Sequence, residues 1–144
     1  MIHPTAVVHP SAKIGKGTRV WQFVVIGEDV VIGEDCNICS HVYIEKGVKI
    51  AERVTIKNGA RIYEGVTIHG EVFVGQNAVF TNDRHPRSKL YKPIEETVVH
   101  RGASIGANAV VFPVDIGAWC MIGAGAVVTR NVGDSQVVKG VPAR

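Results

Sequence analysis

The chain has 144 residues, with 16 Lys plus Arg against 13 Asp plus Glu, a formal charge of +3. No run of charge suggests a nucleic-acid groove, and no apolar run approaches the ~18 residues a membrane span needs. The start, Met1-Ile2-His3-Pro4-Thr5-Ala6, lacks the basic-then-apolar order of a secretory leader. Three cysteines, an odd number without metal-like spacing, fit a reducing cytoplasm, and the length fits a single domain over 1–144.

In chain order, one aliphatic residue recurs every six positions: Ile2, Val8, Ile14, Val20, Ile26, Ile32, and so on through Ile38, Ile44, Ile50, Ile56, Ile62, Ile68 and Val74 to Phe80. A helix gives spacings of three and four and an isolated strand gives two, so neither produces this period. A second series lies two residues earlier: Ala6, Ala12, Thr18, Val24, Val30, Cys36, Val42, Val48, Val54, Ala60, Val66, Val72 and Ala78. Residues two apart on a strand point the same way, so each repeat buries a small residue and then a large one. The remaining residues, often opening with Gly as at Gly15, Gly27, Gly33 and Gly75, turn a corner. Three such sides close an 18-residue coil, and the coils stack by about 4.8 Å, the strand-pairing distance. The implied fold is all-β, a parallel β-helix.

The register fails after Phe80, in 81–98 (TNDRHPRSKLYKPIEETV), and resumes at Val99, Ile105 and Val111. One step of five then leads to Ile116, followed by Ile122 and Val128. The segment at about 81–98 is expected to be one corner expanded into a projecting loop, and long loops in compact domains usually carry function. Cys36 and Cys120 fall on the small inward register as core thiols, while Cys39 falls on a corner beside Trp21.

The period also predicts what each face shows to solvent. One face presents Val7, Val25, Tyr43, Arg61, Val79, Val110 and Val127, apolar at all places but one, and is the expected self-association surface. The second presents Lys13, Val31, Lys49, Thr67, Val98 and Asp115; the third presents Arg19, Asn37, Thr55, Phe73, Ser104 and Met121. The loop leaves from the corner that ends the apolar face, so a site there would be shared between subunits.

Segments 32–45 (IGEDCNICSHVYIE), 53–66 (RVTIKNGARIYEGV), 79–89 (VFTNDRHPRSK), 101–111 (RGASIGANAVV) and 122–132 (IGAGAVVTRNV), with the terminal GVPAR, resemble the left-handed β-helix acyltransferases of the hexapeptide family. Within it they most resemble the nucleotide-sugar 3-N-acetyltransferases. Left-handedness comes from the resemblance and runs against the usual right-handed crossover. The resemblance implies a homotrimer with active sites between subunits and acetyl-CoA as donor. It also implies an acceptor amine at C-3 of a dTDP-linked 3-amino-3,6-dideoxyhexose, or of a UDP-linked 3-amino uronic acid, in cell-surface glycan (O-antigen) biosynthesis. Two corners depart from the family pattern: Phe112-Pro113-Val114 is one residue short, and Tyr63-Glu64-Gly65 stands where a Trp-Asp-Gly corner is common.

Asn82 opens the loop, and the resemblance sets it against the sugar amine. A carboxamide oxygen accepts a hydrogen bond from that amine and orients it, but takes no proton at neutral pH. His85 in the loop and His41, at the corner opening the apolar face, compete for the role of base. Arg84 and Arg87 have forks suited to a pyrophosphate, Tyr63 is a candidate for packing on the nucleotide base, and Glu64 sits one coil below Asn82. For CoA, the Gly123-Ala124-Gly125 corner allows close approach of the pantetheine arm, with Arg130, Lys139 and Arg144 as cations for its phosphates. Two rival readings are a silent scaffold and a γ-class carbonic anhydrase. The latter needs zinc-ligating histidines, and His3, His9, His41, His69, His85 and His100 show no closely spaced trio, so no metal is expected.

Overall fold

The computed structural model describes all 144 residues. Twenty strands of two or three residues run from Val7–Val8 to Val137–Val138, with no helix. They form three parallel sheets of seven, six and seven strands, in which each strand pairs with the strand one coil away. This is a left-handed parallel β-helix. The outward residues of the first face align as the period requires: Val7 with Val25, Val25 with Tyr43, Tyr43 with Arg61, Arg61 with Val79, Val79 with Val110 and Val110 with Val127. The second and third faces hold the expected registers too, including Thr67 with Val98 and Phe73 with Ser104.

Inside the prism, 34 buried residues make one continuous cluster. The large positions carry the aliphatic series and Phe80; the small positions carry Val, Ala, Cys and Thr. Cys36 and Cys120 are core thiols, and burial pushes both thiols up. Thr18 shows how a hydroxyl survives on the inward register. Its Oγ1 donates to the Gly33 carbonyl at 2.7 Å and accepts from the Cys36 N–H at 3.0 Å.

The opening glycines of the corners are required by space and not by φ. A Cβ on Gly15 would stand 2.4 Å from the Gly33 carbonyl carbon, and one on Gly75 would stand 2.6 Å from the Ala107 nitrogen. These glycines let one coil lie directly on the next. The left-handed backbone falls at the third corner residue, at φ between 53° and 62° for Asp29, Asp35, His41, Asn77 and Asn108 and equally for Phe23, Arg53, Glu71, Trp119 and Ser135. Asp, Asn and His tolerate that region better than most side chains; the other five are held there by the coil.

The expanded corner runs from the end of strand Val79–Phe80 to the start of strand Thr97–Val99. It therefore spans 81–96, two residues shorter than the expected 81–98, because Thr97 already pairs with Val66 and takes the small inward position. Where the sequence steps by five, Val114 still reaches the core. Near this shortened corner, the Asp115 N–H donates to the Asn131 side-chain oxygen at 2.9 Å.

Candidate functional site

The corner joining the first and second faces carries a linked set of polar contacts. Tyr43 and Tyr63 lie with ring centroids 5.7 Å apart. The Glu45 carboxylate bridges this corner: one oxygen accepts from the Tyr43 hydroxyl at 3.4 Å, the other from the Glu64 N–H at 2.8 Å. Burial, followed by the charge of Glu45, pushes the Tyr43 phenol up, so it stays a donor. Glu64 holds Lys46 at 3.7 Å through its own carboxylate.

Asn82 sits one coil above. Its Nδ2 donates to the Glu64 carbonyl at 3.0 Å. An amide is planar with its oxygen and nitrogen on opposite sides of Cγ, so spending the nitrogen on the wall turns Oδ1 away from it, with acceptor capacity to spare. The sequence stacked Glu64 under Asn82, and the contact is made by the Glu64 backbone rather than its carboxylate.

The loop beyond Asn82 is folded on itself and onto the coils that follow. The Asp83 carboxylate accepts from the His85 N–H at 2.8 Å and from Lys92 at 2.9 Å, while Lys92 also reaches the His85 carbonyl. The Lys92 bond first, and then the His85 N–H, hold the Asp83 carboxyl below the usual range. Arg84 spans further. It donates to the Pro113 carbonyl at 2.7 Å and the Thr129 carbonyl at 3.3 Å, keeps Glu95 at 3.8 Å, and lies over the Phe112 ring at 5.7 Å. Two nitrogens of the Arg84 guanidinium, expected at a pyrophosphate, thus bond protein carbonyls within this chain. Arg87 remains exposed, with one N–H on the Pro86 carbonyl at 3.1 Å. The return limb passes close over Gly65, at φ +96°, where a Cβ would meet Ile94 at 2.6 Å and the Glu95 carbonyl at 3.0 Å.

Of the histidines, His85 is exposed on the loop beside Asp83. His41 lies on the opposite edge of the first face, at φ 62° and against the Phe23 ring at 5.1 Å. Within one chain the structure does not bring His41 to Asn82. A pair that sequence reading passed over does come together: His69 and His100 stack at 5.5 Å with ring planes 10° apart, because the enlarged coil puts them in register on the corner between the second and third faces.

The residues expected around CoA fall in two places. Gly123, Ala124 and Lys139 share the corner between the third and first faces, where a Cβ on Gly123 would be 3.0 Å from the Lys139 Cβ. Arg130 follows Thr129 on the loop's own edge. With Arg144 it lines a recess of about 290 Å³ at the C-terminal end of the prism, floored by Val132, Val138 and Ala143. Glu45 and Tyr43, which organise the site wall, were visible in the sequence only as a corner residue and a face residue. Their stacking under Tyr63 and Glu64 follows from the 18-residue coil, but the carboxylate bridge does not.

Two family models match the repeat: bacterial transferase hexapeptide (six repeats) over residues 11–46, and hexapeptide repeat of succinyl-transferase over residues 99–130. A curated relative is 51% identical over 49 residues, 33% of this chain and 26% of its own length. It is the dTDP-3-amino-3,6-dideoxy-α-D-galactopyranose 3-N-acetyltransferase of Aneurinibacillus thermoaerophilus. Among solved structures, the acetyltransferase domain of PglB from Neisseria gonorrhoeae, in complex with acetyl coenzyme A, superposes with a TM-score of 0.65 at 23% identity, over 99% of this chain and 55% of that one. A hexapeptide transferase family protein from Anaplasma phagocytophilum superposes with a TM-score of 0.67 at 18% identity, over 96% of this chain and 76% of that one. The chain therefore spans about a quarter of its curated relative and about half of the PglB domain, and the structural likenesses speak for the fold alone. What the comparisons share with this chain is the hexapeptide repeat of bacterial transferases, matched over 11–46 and 99–130, and the parallel β-helix which that repeat builds.

Proposed function

We propose that the chain is an acetyl-CoA-dependent N-acetyltransferase acting on the C-3 amine of a dTDP-linked 3-amino-3,6-dideoxyhexose. The observation that carries this reading is the Asn82 amide at the root of the loop, its nitrogen engaged by the Glu64 carbonyl and its oxygen left for an acceptor. The curated relative, a dTDP-sugar 3-N-acetyltransferase, supports the substrate class. The silent-scaffold alternative offers no reason for a loop held this closely over its corner.

In this reading Asn82 Oδ1 accepts an N–H of the neutral amine and aims the nitrogen lone pair at the thioester carbonyl carbon. The C–N bond forms as the carbonyl becomes an oxyanion. Collapse breaks the C–S bond, and the amine proton leaves with the CoA thiolate or through a histidine. His85 is the base available on the loop itself. His41 would serve a neighbouring copy, because it flanks the opposite edge of the apolar face. That face, with Val25, Val79 and Val110, joins three copies, so each site is built by two subunits. Tyr63 and Glu64 form the acceptor wall and Arg87 meets the pyrophosphate. Gly123 and Ala124 border the pantetheine arm, with Arg130 and Lys139 toward the CoA phosphates. No metal takes part, and the whole chain acts as one unit in the cytoplasm, ahead of cell-surface glycan assembly.

The test is thiol release from acetyl-CoA against dTDP- and UDP-linked 3-amino sugars and their hydroxyl counterparts. The amines should react, and the rate should rise with pH through the amine's own pKa, since a protonated amine has no lone pair. Faster acetylation of a simple sugar alcohol than of any nucleotide-linked amine would overturn the assignment.

A further inference from the structure

A second recess lies on the corner between the third and first faces, on the far side of the apolar face from the loop. It is about 380 Å³ and is lined by Trp21, Gln22, Asn37, Cys39, Ser40 and Asn58. The molecule's other two recesses are charged: one carries Arg130 and Arg144, the other Glu28, Asp29, Lys46 and Glu64. This one has no charged side chain, so a phosphate or carboxylate would find no charge-assisted partner in it. It does have a half-buried indole whose orientation is fixed, because Trp21 Nε1 donates to Asn37 Oδ1 at 2.8 Å. Asn58 is oriented as well, its Nδ2 on the Ser40 hydroxyl at 2.8 Å, which turns its Oδ1 outward. A held aromatic face beside amides that both donate and accept suits a neutral planar ring with alternating carbonyl and N–H groups.

We infer that this recess binds the pyrimidine base of the nucleotide-linked acceptor, presented by one copy to the loop of the next. The inference rests on the acetyltransferase reading above and deepens it. Loop and recess flank the two edges of one apolar face, and in a closed ring of copies the contacts are heterologous, so one copy's loop edge meets its neighbour's recess edge. The recess is centred on the coil of Tyr43 and Asn82 follows Val79, two coils further along. At about 4.8 Å per coil that is an axial offset of about 10 Å. A nucleoside diphosphate sugar can span that distance with its sugar at Asn82 and its base against Trp21.

The chain has two tryptophans, and Trp119 is exposed on another corner. Trp119→Phe therefore makes Trp21 the sole indole reporter in the full-length chain. Titration with dTDP and with thymidine should quench its fluorescence saturably, while inorganic pyrophosphate and galactosamine should not. Adding Gln22→Ala and Asn58→Ala, both at the surface, should weaken dTDP at least tenfold at an unchanged melting temperature. Quenching by galactosamine but not thymidine, no quenching at all, or a dTDP affinity indifferent to the double substitution would each overturn the inference. Acetyl transfer that persists with Trp21 unresponsive would remove this site alone. A responsive Trp21 with no thiol release for any amine would remove the enzymatic reading and leave the base recess standing.

Discussion

Arg84 Nη2 donates to the Pro113 carbonyl at 2.7 Å, tying the root of the projecting loop to the shortened corner one coil above it. A second bond from the same guanidinium, to the Thr129 carbonyl at 3.3 Å, extends the tie to the following coil. The residue that sequence reading assigned to a ligand's phosphates instead holds the loop down. Hydrogen bonds from a charged donor typically contribute about 1.5–3 kcal/mol. Arg84→Ala should therefore open the loop, seen as faster proteolysis between Arg87 and Lys92, with a modest fall in melting temperature. Arg84→Lys should rescue little, since one ammonium cannot span both carbonyls. An unchanged cleavage rate in Arg84→Ala would show that the loop is held by something else.

Acid should loosen the same loop by a different route. The Asp83 carboxyl is held below its ordinary value by Lys92 and the His85 N–H. Its contribution is complete above the unfolded value of about 3.9 and is lost as pH falls through the lower folded value. Amide hydrogen exchange at His85 should accordingly gain an acid-induced opening below about pH 4. Asp83→Asn should abolish that dependence. An opening unaltered by Asp83→Asn would assign the transition to another carboxylate.

Thr97 offers a test of the core. It is 1% exposed on the small inward register, between Val66 and Val114, and its Oγ1 has no hydrogen-bond partner. Thr18, on the same register, has two partners. A buried hydroxyl without a partner costs about 1–3 kcal/mol. Thr97→Val, nearly isosteric, should raise stability by about 1 kcal/mol in urea denaturation, and Thr18→Val should lower it. Stabilisation by both, or by neither, would contradict this reading.

These contrasts mark what the sequence discloses. A six-residue period written in Ile2 through Phe80 specifies which residue stacks on which, because burial and backbone pairing obey the same spacing. Even Val79 opposite Val110, across the insertion, follows from it. The period says nothing about how an insertion folds. Arg84 lying over Phe112, and Lys92 closing on Asp83, depend on the loop's own path, which no repeat encodes. The Glu45 bridge falls between these cases: its neighbours were legible, but its choice of the Glu64 N–H was not.

The apolar first face sets the assembly expectation. Val25 is 37% exposed there, and Val79 and Val110 are half-buried. A carboxylate buried without a partner in an interface costs several kcal/mol. Light scattering should report a trimer for the native chain and a monomer or aggregate for Val25→Asp. A trimer that survives Val25→Asp would move the interface to another face.

If Asn82, fixed by the Glu64 carbonyl, orients the acceptor amine as proposed, kcat/KM for acetyl transfer in Asn82→Ala reads that role. Removing an orienting contact of this kind can cost on the order of 100-fold in rate. The substitution also removes the bond to the Glu64 carbonyl, a loss of about 0.5–1.5 kcal/mol, so melting should fall by a few degrees at most. The expected result is a fall in kcat/KM on the order of 100-fold in protein that remains folded, and a smaller loss in His85→Ala. Near-native kcat/KM in Asn82→Ala, with the loss appearing in His85→Ala or His41→Ala instead, would contradict it.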